Sequence, residues 1–484
     1  MRYGARELID LVLDSGSFAS WDQQVDRSGL TADYRAVLEA AEARSGVDES
    51  VLTGRARVHG RAVAVVVNEF AFLAGSIGQA AGDRIVAAVR RATAEGLPLL
   101  AATASGGTRM QEGTPAFVKM ADITRALVAH RAAGLPYLGW LRHPTTGGVF
   151  ASWGSLAHVT TAEPEAVIGF LGPRVVEALR GAPLPPGVQT AEHLAEHGII
   201  DAVVGAADLA ALVDRTLSIL VDPPEPRSLP VRQGPLGPPA SAWESIARTR
   251  ETRRAGARDL LRYGATGTVS LAGTDEGELD NSLVIALTRL DGQPCVYVGQ
   301  DRTRQTPETP MGPGALREAR RAMRLAEELR LPLVTVIDTP GAELSARAEE
   351  GAIAGEIARC TATLVAMTVP TVSVLLGQGT GGGALALLPA QRVIAAEHAW
   401  LSPLPPEGAS YLVHRDLHHA AEVAAAQRVR AVDLLADGVV HHVVPEVDGE
   451  PPRDLAIAVA AECARRIVEL RAQGSSHSRT AASS

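Results

Sequence analysis

The stretch LPLLAATASGG at residues 97–107 decides the fold of this chain, because residues 331–341 repeat its pattern as LPLVTVIDTPG. A second pair of segments shows the same relation: LPYLGWLRHPTTGG at 135–148 corresponds to VPTVSVLLGQGTGGG at 369–383. A constant offset of 234 residues pairs Pro98 with Pro332, Pro136 with Pro370, and Gly147 with Gly381. One register held at three landmarks indicates an internal duplication.

Each half contains the same predicted order of helix, buried strand, glycine turn, helix and buried strand. The strands are short and apolar without polar alternation, which favours sheets covered by helices in an α/β fold. In the first half the predicted elements are a helix over Asp83–Glu95, a strand over Leu97–Ala104, a helix over Thr114–Ala133 and a strand over Tyr137–Leu141. In the second half they are a helix over Ala315–Arg330, a strand over Leu331–Ile337, a helix over Glu349–Thr368 and a strand over Thr371–Leu376.

Proline interrupts the chain between the two halves, in the sequence VDPPEPRSLPVRQGPLGPPASA at residues 221–242. Because proline fixes the backbone and lacks an N–H donor, neither a helix nor a central strand can persist there. We therefore predict two domains, residues 1–221 and 243–471, joined by a linker at 222–242. The polar, serine-rich end at 472–484 is predicted to be a disordered tail.

Composition and charge exclude several classes of protein. The chain has 484 residues, of which 46% are hydrophobic and 21% charged, so it is long enough for more than one globular domain. Its 46 Lys and Arg residues against 55 Asp and Glu residues give a net charge of −9, which argues against nucleic-acid binding. Lys119 is the only lysine, so a Walker phosphate loop and a Schiff-base lysine are not expected.

The cysteine spacing bears on metal binding, and the hydropathy pattern bears on the cellular location of the protein. Cys295, Cys360 and Cys463 lie far apart in the sequence, without the paired spacing of a zinc ribbon or a disulfide framework, so no metal is predicted. Neither a signal-peptide core nor an apolar window of about 18 residues is present, and a cytoplasmic protein without membrane contact is expected.

The glycine turns at the strand exits are candidate oxyanion sites. Such turns expose backbone N–H groups at the start of a helix, where an anion or a developing enolate oxygen can be held. The candidate donors are Gly106, Gly107, Gly147 and Gly148 in the first half, and Gly341, Gly382 and Gly383 in the second half. The alternative is that these glycines only permit tight turns and close packing.

The longer strings around these turns resemble a known enzyme family. Residues Phe70–Val204 resemble the beta subunit of the bacterial acetyl-CoA carboxylase carboxyltransferase through TASGGTRMQEG, GLPYLGWLRHPTTGGVFAS and AEPEAVIGFLGPRVVE. Residues Ala315–Pro445 resemble its alpha subunit through ALREARRAMRLAEELRLPLVTVIDTPGAE and VPTVSVLLGQGTGGGALAL. The resemblance implies a fused beta–alpha protein with two tandem crotonase-like domains, each a ClpP/crotonase ββα spiral, related by internal duplication.

The resemblance also implies roles for the turns. Gly106 and Gly107 would stabilise the enolate of an acyl-CoA, and Gly382 and Gly383 the ureido oxygen of biotin. Gly147, Gly148 and Gly341 would complete the donor sets. Four further residues are candidates for cofactor contacts: Arg109, Arg302, Gly381 and Ala384. Because the biotin nitrogen would remove the α-proton, no side-chain base is required. The four-cysteine zinc ribbon that the beta family commonly carries is missing from this chain.

Partners follow from the same resemblance. The acyl-CoA thioester is the expected substrate, and carboxybiotin would arrive on a separate biotin carboxyl carrier protein that a biotin carboxylase loads. A homodimer or larger homo-oligomer is expected, in which the first half of one chain faces the second half of another. Two alternatives remain: a malonyl-thioester decarboxylase on the same fold, and a non-catalytic acyl-CoA-binding scaffold. Gln378, which replaces a family carboxylate, and the altered LSPLPPEG segment at 401–408 motivate the scaffold.

Polar side chains near the turns have two possible roles each. Glu112, Asp338 and Glu343 could tune the site, or could cap helices and pair with arginines. His143 could act as a base, although it precedes Pro144 in a turn. The arginines at 109, 302 and 304 could meet a CoA phosphate, or could be solvated surface groups.

Overall fold

The structure is a computed structural model that describes residues 3–237 and 240–481, with side chains described as far as residue 474. The chain forms two compact units. The first spans Met1–Leu220 together with Asp275–Gly277, and the second spans Val221–Thr274 together with Glu278–Ser484.

The first unit is an α/β unit built on one sheet. Its strands are β1 (Ala19–Ser20), β2 (Val51–Val58), β3 (Arg61–Asn68), β4 (Leu99–Ser105), β5 (Tyr137–Thr146), β6 (Val159–Ala162), β7 (Ile168–Gly169) and β8 (Ala202–Val203). Its helices are α1 (Ala5–Val12), α2 (Ala32–Ser45), α3 (Gln79–Ala94), α4 (Gly113–Ala132), α5 (Pro173–Arg180), α6 (Ala191–Glu196) and α7 (Ala206–Leu220). Short 3-10 turns lie at Leu73–Gly75, Met110–Glu112 and Trp153–Ser155.

The sheet of the first unit has the strand order β1-β2-β3-β4-β5-β6-β8, with β7 paired to the far end of β5. Strands β1 to β3 are antiparallel, and the pairs from β3 onward are parallel. Every residue of β4 is buried, as expected for a parallel strand covered on both faces. Helices α3 and α4 pack over β3 and β4 in one hydrophobic cluster that includes Ile85, Ile123 and Leu127.

The second unit repeats this architecture. Its strands are β9 (Ala265–Leu271), β10 (Leu283–Leu290), β11 (Gln293–Gln300), β12 (Leu333–Thr339), β13 (Thr371–Thr380), β14 (Arg392–Ala396), β15 (Trp400–Ser402) and β16 (His442–Val444). Its helices are α8 (Ala242–Thr249), α9 (Ala257–Gly264), α10 (Pro313–Glu328), α11 (Ala346–Glu350), α12 (Ile353–Ala366), α13 (Gly381–Leu385), α14 (Pro406–His414), α15 (Ala420–Ala426), α16 (Ala431–Ala436) and α17 (Pro452–Ala481). The strand order is β16-β14-β13-β12-β11-β10-β9, with β15 paired to the end of β13.

Equivalent elements of the two units have equivalent bounds. Helices α3 and α10, strands β4 and β12, and strands β5 and β13 each begin and end 234 residues apart. The ladders shift register at the same places, between Thr103 and Ser105 in the first unit and between Ile337 and Thr339 in the second. The predicted order of helix and strand in each half is therefore confirmed.

Two of the differences from the predicted bounds have a clear structural cause. Strands β5 and β13 continue to Thr146 and Thr380, beyond the predicted ends, because β7 and β15 pair with their last residues. The helix predicted over Glu349–Thr368 is broken into α11 and α12, since Ala352 adopts a left-handed conformation with φ of 61°.

The proline-rich segment after α7 contains neither helix nor strand as far as residue 237. It is nevertheless attached to the second unit by hydrogen bonds: Asp291 accepts from the N–H groups of Ser228 and Leu229, and Arg232 pairs with Glu450. Pro238 and Pro239 lie outside the described residues. At the other end of the chain α17 extends through Ala481, where the sequence predicts a disordered tail, and residues 482–484 lie outside the described part.

Candidate oxyanion site

The two predicted glycine turns of the first unit lie side by side. Strands β4 and β5 are parallel neighbours, with Ser105 opposite Thr145, so their carboxyl ends meet at one sheet edge. A Cβ atom added to Gly107 would lie 3.2 Å from the Cα of Gly147 and 3.3 Å from the nitrogen of Gly148. Gly107 also has φ of 105°, which favours glycine. The structure thus brings Gly106 and Gly107 together with Gly147 and Gly148.

Three of the four predicted donors in this unit already donate inside the protein. The N–H of Gly106 donates to the carbonyl of Ala74 at 2.9 Å, and the N–H of Gly147 donates to the carbonyl of Phe170 at 3.1 Å. The N–H of Gly107 donates to the Ser105 hydroxyl at 3.0 Å. The expectation that Gly106 and Gly107 supply free donors is therefore corrected: within the described first unit, Gly148 is the predicted donor whose N–H is left without a hydrogen bond.

A segment that the sequence analysis missed borders this site. Leu73 and Ala74 have φ of 46° and 55°, a left-handed conformation that is strained for residues with a side chain. The carbonyl of Ala74 holds Gly106, while no hydrogen bond is found for the N–H of Ala74 in the described structure. Leu and Ala are ordinary helix formers, so their residue types gave no signal of this turn.

The second unit has the same arrangement. Gly341 donates its N–H to the hydroxyl of Thr339 at 3.1 Å, as Gly107 does to Ser105. Helix α13 begins at Gly381, so its first N–H groups have no partner within the helix, and the side chain of the N-cap Thr380 does not bond them either. A Cβ atom added to Gly383 would lie 3.4 Å from the nitrogen of Ala342, which places the two turns next to each other.

An unpartnered polar atom marks this second site. The hydroxyl oxygen of Thr380 is buried and makes no hydrogen bond in the described structure. Buried hydroxyls are normally paired, because leaving one unpaired costs about 1–3 kcal/mol. Its position at the N-cap of α13 suits a polar ligand atom held by the adjacent N–H groups, including those of Gly382 and Gly383.

Two of the three arginines predicted to contact a phosphate, Arg109 and Arg302, instead form ion pairs inside the protein. Arg109 is 1% exposed and binds both oxygens of Glu49, with Glu112 beside it. Burial lowers the pKa of Arg109, but the hydrogen bonds and charge of Glu49 outweigh it and raise the pKa above its usual range. Arg302 lies 3.3 Å from the carboxylate of Asp338 and donates to the carbonyls of Thr249 and Arg254.

Neither side chain is therefore a surface group or a free phosphate ligand, which corrects both expectations for Arg109 and Arg302. Arg304, by contrast, has a side chain that is 53% exposed. It remains a candidate for a phosphate contact.

The other polar candidates are structural groups. Glu112 accepts the N–H of Gln79 at the start of α3 and the hydroxyl of Tyr34, and Glu343 pairs with Arg347. His143 accepts the N–H of Val167 through its Nδ1, which occupies the atom that a base would use.

Asp338 is the exception among the carboxylates, because it is fully buried behind the second site. Burial raises its pKa to about 6, although the charge of Arg302 opposes this. Its Oδ1 accepts the N–H of Gln378 at 3.0 Å.

In the described parts of the chain, no three His, Cys, Asp or Glu side chains are grouped so that they could hold a metal ion. Over the same ranges, no helix has the length and apolar character needed to cross a bilayer.

Comparison with known proteins decides the family. A model of the carboxyl transferase domain matches residues 2–449 of this chain. This chain belongs to the carboxyl transferase family. The resemblance seen in the sequence is thereby confirmed, and it covers both units of this carboxyl transferase.

Curated relatives and solved structures agree with this assignment. The chain is 56% identical over 467 residues to a probable biotin-dependent acyl-coenzyme A carboxylase beta3 subunit of Mycobacterium tuberculosis, covering 96% of this chain and 94% of that protein. It is 37% identical to the acetyl-coenzyme A carboxylase carboxyl transferase subunits beta/alpha of Salinispora arenicola, covering 92% of this chain and 82% of that protein. The fold of this carboxyl transferase matches that of transcarboxylase 12S with a TM-score of 0.77 at 23% identity, over 96% of this chain and 90% of that one.

Proposed function

We propose that this chain is the carboxyltransferase subunit of a biotin-dependent acyl-CoA carboxylase, acting on acetyl-CoA or another short acyl-CoA. The observation that carries the proposal is the pair of equivalent turns, one in each unit, that present N–H groups without partners inside the protein. Two relatives that cover almost the whole chain carry names of this activity. The equal element bounds also support the proposal that both units are crotonase-like domains related by duplication.

The first unit would hold the acyl-CoA thioester. The N–H of Gly148, at the end of β5, would donate to the thioester oxygen as it becomes an enolate. Gly106, Gly107 and Gly147 would shape the turn rather than donate, because their own N–H groups are engaged. A single donor of this kind is worth on the order of 3 kcal/mol of transition-state stabilisation.

The second unit would hold the biotin ring. The N–H groups of Gly382 and Gly383, with the backbone of Gly381 and Ala384 beside them, would stabilise negative charge on the ureido oxygen. Bound carboxybiotin would supply both the carboxyl group and, after its release, a nitrogen that takes the α-proton of the acyl group. No side-chain base is then required, which agrees with His143 being engaged through its ring nitrogen.

We also propose that a second copy of the chain completes the active site. Met110 and Leu344 are 82% and 97% exposed, and they occupy equivalent positions, 234 residues apart, directly after the first glycine turn of each unit. Large apolar side chains so exposed beside a candidate site mark an interaction surface. A biotin carboxylase and a biotinylated carrier protein are the other expected partners.

The direct test is the reverse reaction, in which the purified chain carboxylates free biotin with malonyl-CoA as donor. We expect acetyl-CoA to form in proportion to carboxybiotin and only when biotin is present. Loss of CO2 without biotin would identify the decarboxylase instead. No turnover under either condition, together with measurable acyl-CoA binding, would identify the scaffold.

A further inference from the structure

A buried amide connects the two turns of the second unit. Gln300 is the last residue of β11 and is 0% exposed. Its Nε2 donates to the carbonyl of Gly383 at 2.8 Å, and its Oε1 accepts the N–H of Asp338 at 3.1 Å. The same Nε2 lies 3.5 Å from the sulfur of Met311. Gln300 thus ties the Gly382–Gly383 turn to the end of β12.

These contacts fix one peptide plane. The carbonyl of Gly383 and the N–H of Ala384 belong to the same trans peptide, so the two bonds point in opposite directions. A group that holds the Gly383 carbonyl therefore also sets the direction of the Ala384 N–H. Because strand β11 is covered on both sides and every one of its residues is buried, the Gln300 side chain has little freedom to move.

The first unit carries an amide at the equivalent place. Asn68 is the last residue of β3, is fully buried, and donates through Nδ2 to the carbonyl of Gly75 at 3.4 Å. Gly75 belongs to the strained turn beside Gly106. In both units, therefore, the strand beside β4 or β12 ends in a residue whose side-chain amide donates to the carbonyl of a turn.

We propose that Gln300 is a positioning residue, which orients the Gly383–Ala384 peptide so that its N–H joins those of Gly382 and Gly383 around the oxygen bound at this turn. The identity of the bound oxygen rests on the proposed function, whereas the contacts of Gln300 with the turn do not. Misplacing a reacting group by about 1 Å can cost on the order of 100-fold in rate, so a loss of this size is expected when the amide is removed.

The test uses Gln300→Met, which keeps the length of the side chain and removes both hydrogen bonds. The matched control is Gln293→Met at the other end of the same strand, where Gln293 is 4% exposed and donates to the carbonyl of Glu225. Both variants lose one buried amide from β11. We expect similar drops in Tm, but a fall of about 10-fold to 100-fold in kcat for Gln300→Met alone, with the KM for acyl-CoA unchanged.

Two further measurements separate positioning from folding. Hydrogen exchange of the segment 379–388 should be faster in Gln300→Met than in Gln293→Met. In Gln300→Glu the loss in kcat relative to the wild type should grow as pH rises, because a protonated carboxyl can donate to the Gly383 carbonyl whereas a carboxylate repels it.

Equal exchange and equal rates in the two methionine variants would overturn the assignment of Gln300. If the wild-type chain transfers no carboxyl group, the proposed function fails. The exchange measurement then decides the role of Gln300 by itself.

Discussion

At the residue scale, backbone hydrogen bonds decide which predicted donors can act. The sequence predicts Gly106, Gly107 and Gly147 as donors because glycine leaves the backbone accessible, yet their N–H groups donate to Ala74, Ser105 and Phe170. A glycine can therefore be essential for space rather than for its N–H. Gly107 is such a case, because a side chain there would cover the nitrogen of Gly148.

The variant Gly107→Ala tests this distinction. The new Cβ would lie 3.3 Å from the nitrogen of Gly148, and φ of 105° is unfavourable for alanine. Gly187→Ala is the matched control, since Gly187 has φ of 88° with no atom within 4 Å. We expect both to lose stability by about 1–3 kcal/mol through strain, and only Gly107→Ala to lose about 100-fold in carboxyl transfer. Comparable rates for the two variants would refute the role of Gly148.

Glu318 gives a prediction of pH dependence. It lies on α10, is 3% exposed and accepts the N–H of Asp280 at 2.6 Å. Burial raises its pKa from 4.5 to about 8. Between these values the unfolded chain releases a proton that the folded chain keeps, so stability falls as pH rises, by up to about 1.4 kcal/mol per pH unit.

The variant Glu318→Gln should remove this loss. We expect its Tm to exceed that of the wild type at pH 8 and to approach it near pH 5, as measured by thermal unfolding across that range. Glu349→Gln, at an exposed position on α11, is the control and should follow the wild-type curve. A constant difference between Glu318→Gln and the wild type at all pH values would contradict the raised pKa.

At the scale of elements, the sequence predicted the parallel strands and their helices but not how the proline-rich segment is attached. Proline excludes helix and strand, so only side-chain and loop contacts could hold that segment. Asp291 makes some of these contacts. It lies at the turn between β10 and β11 and has a left-handed backbone conformation with φ of 42°. Its Oδ1 lies 2.6 Å from the nitrogen of Ser228 and 2.8 Å from that of Leu229.

Removing these acceptors should release the segment. We expect Asp291→Ala to increase the rate of trypsin cleavage after Arg227, an exposed residue directly before Ser228. Asp291→Asn keeps an oxygen acceptor and tolerates the left-handed conformation, so its cleavage rate should stay near that of the wild type. Equal cleavage of all three proteins would show that Asp291 does not hold the segment.

At the scale of the whole molecule, the exposed apolar residues predict self-association. Met110→Glu and Leu344→Glu each place a charge at a position that we expect a second copy to cover. We expect either variant to shift the oligomer toward the monomer, measured by light scattering after size exclusion, and to reduce carboxyl transfer. Val447→Glu, also at an exposed apolar position, is the control. An unchanged oligomer in both variants would remove the argument for a shared site.

The sequence alone determined the two α/β halves, the glycine turns at the strand ends and the family. Those features depend on local conformational preferences and on a pattern repeated at a fixed offset, which a linear chain displays directly. Only the tertiary structure decided which N–H groups stay free and that Arg109 is buried against Glu49. Their partners at Phe170, Ala74 and Glu49 lie 23 to 60 residues away in the sequence. Hydrogen bonds between such distant segments exist only once the sheet has formed.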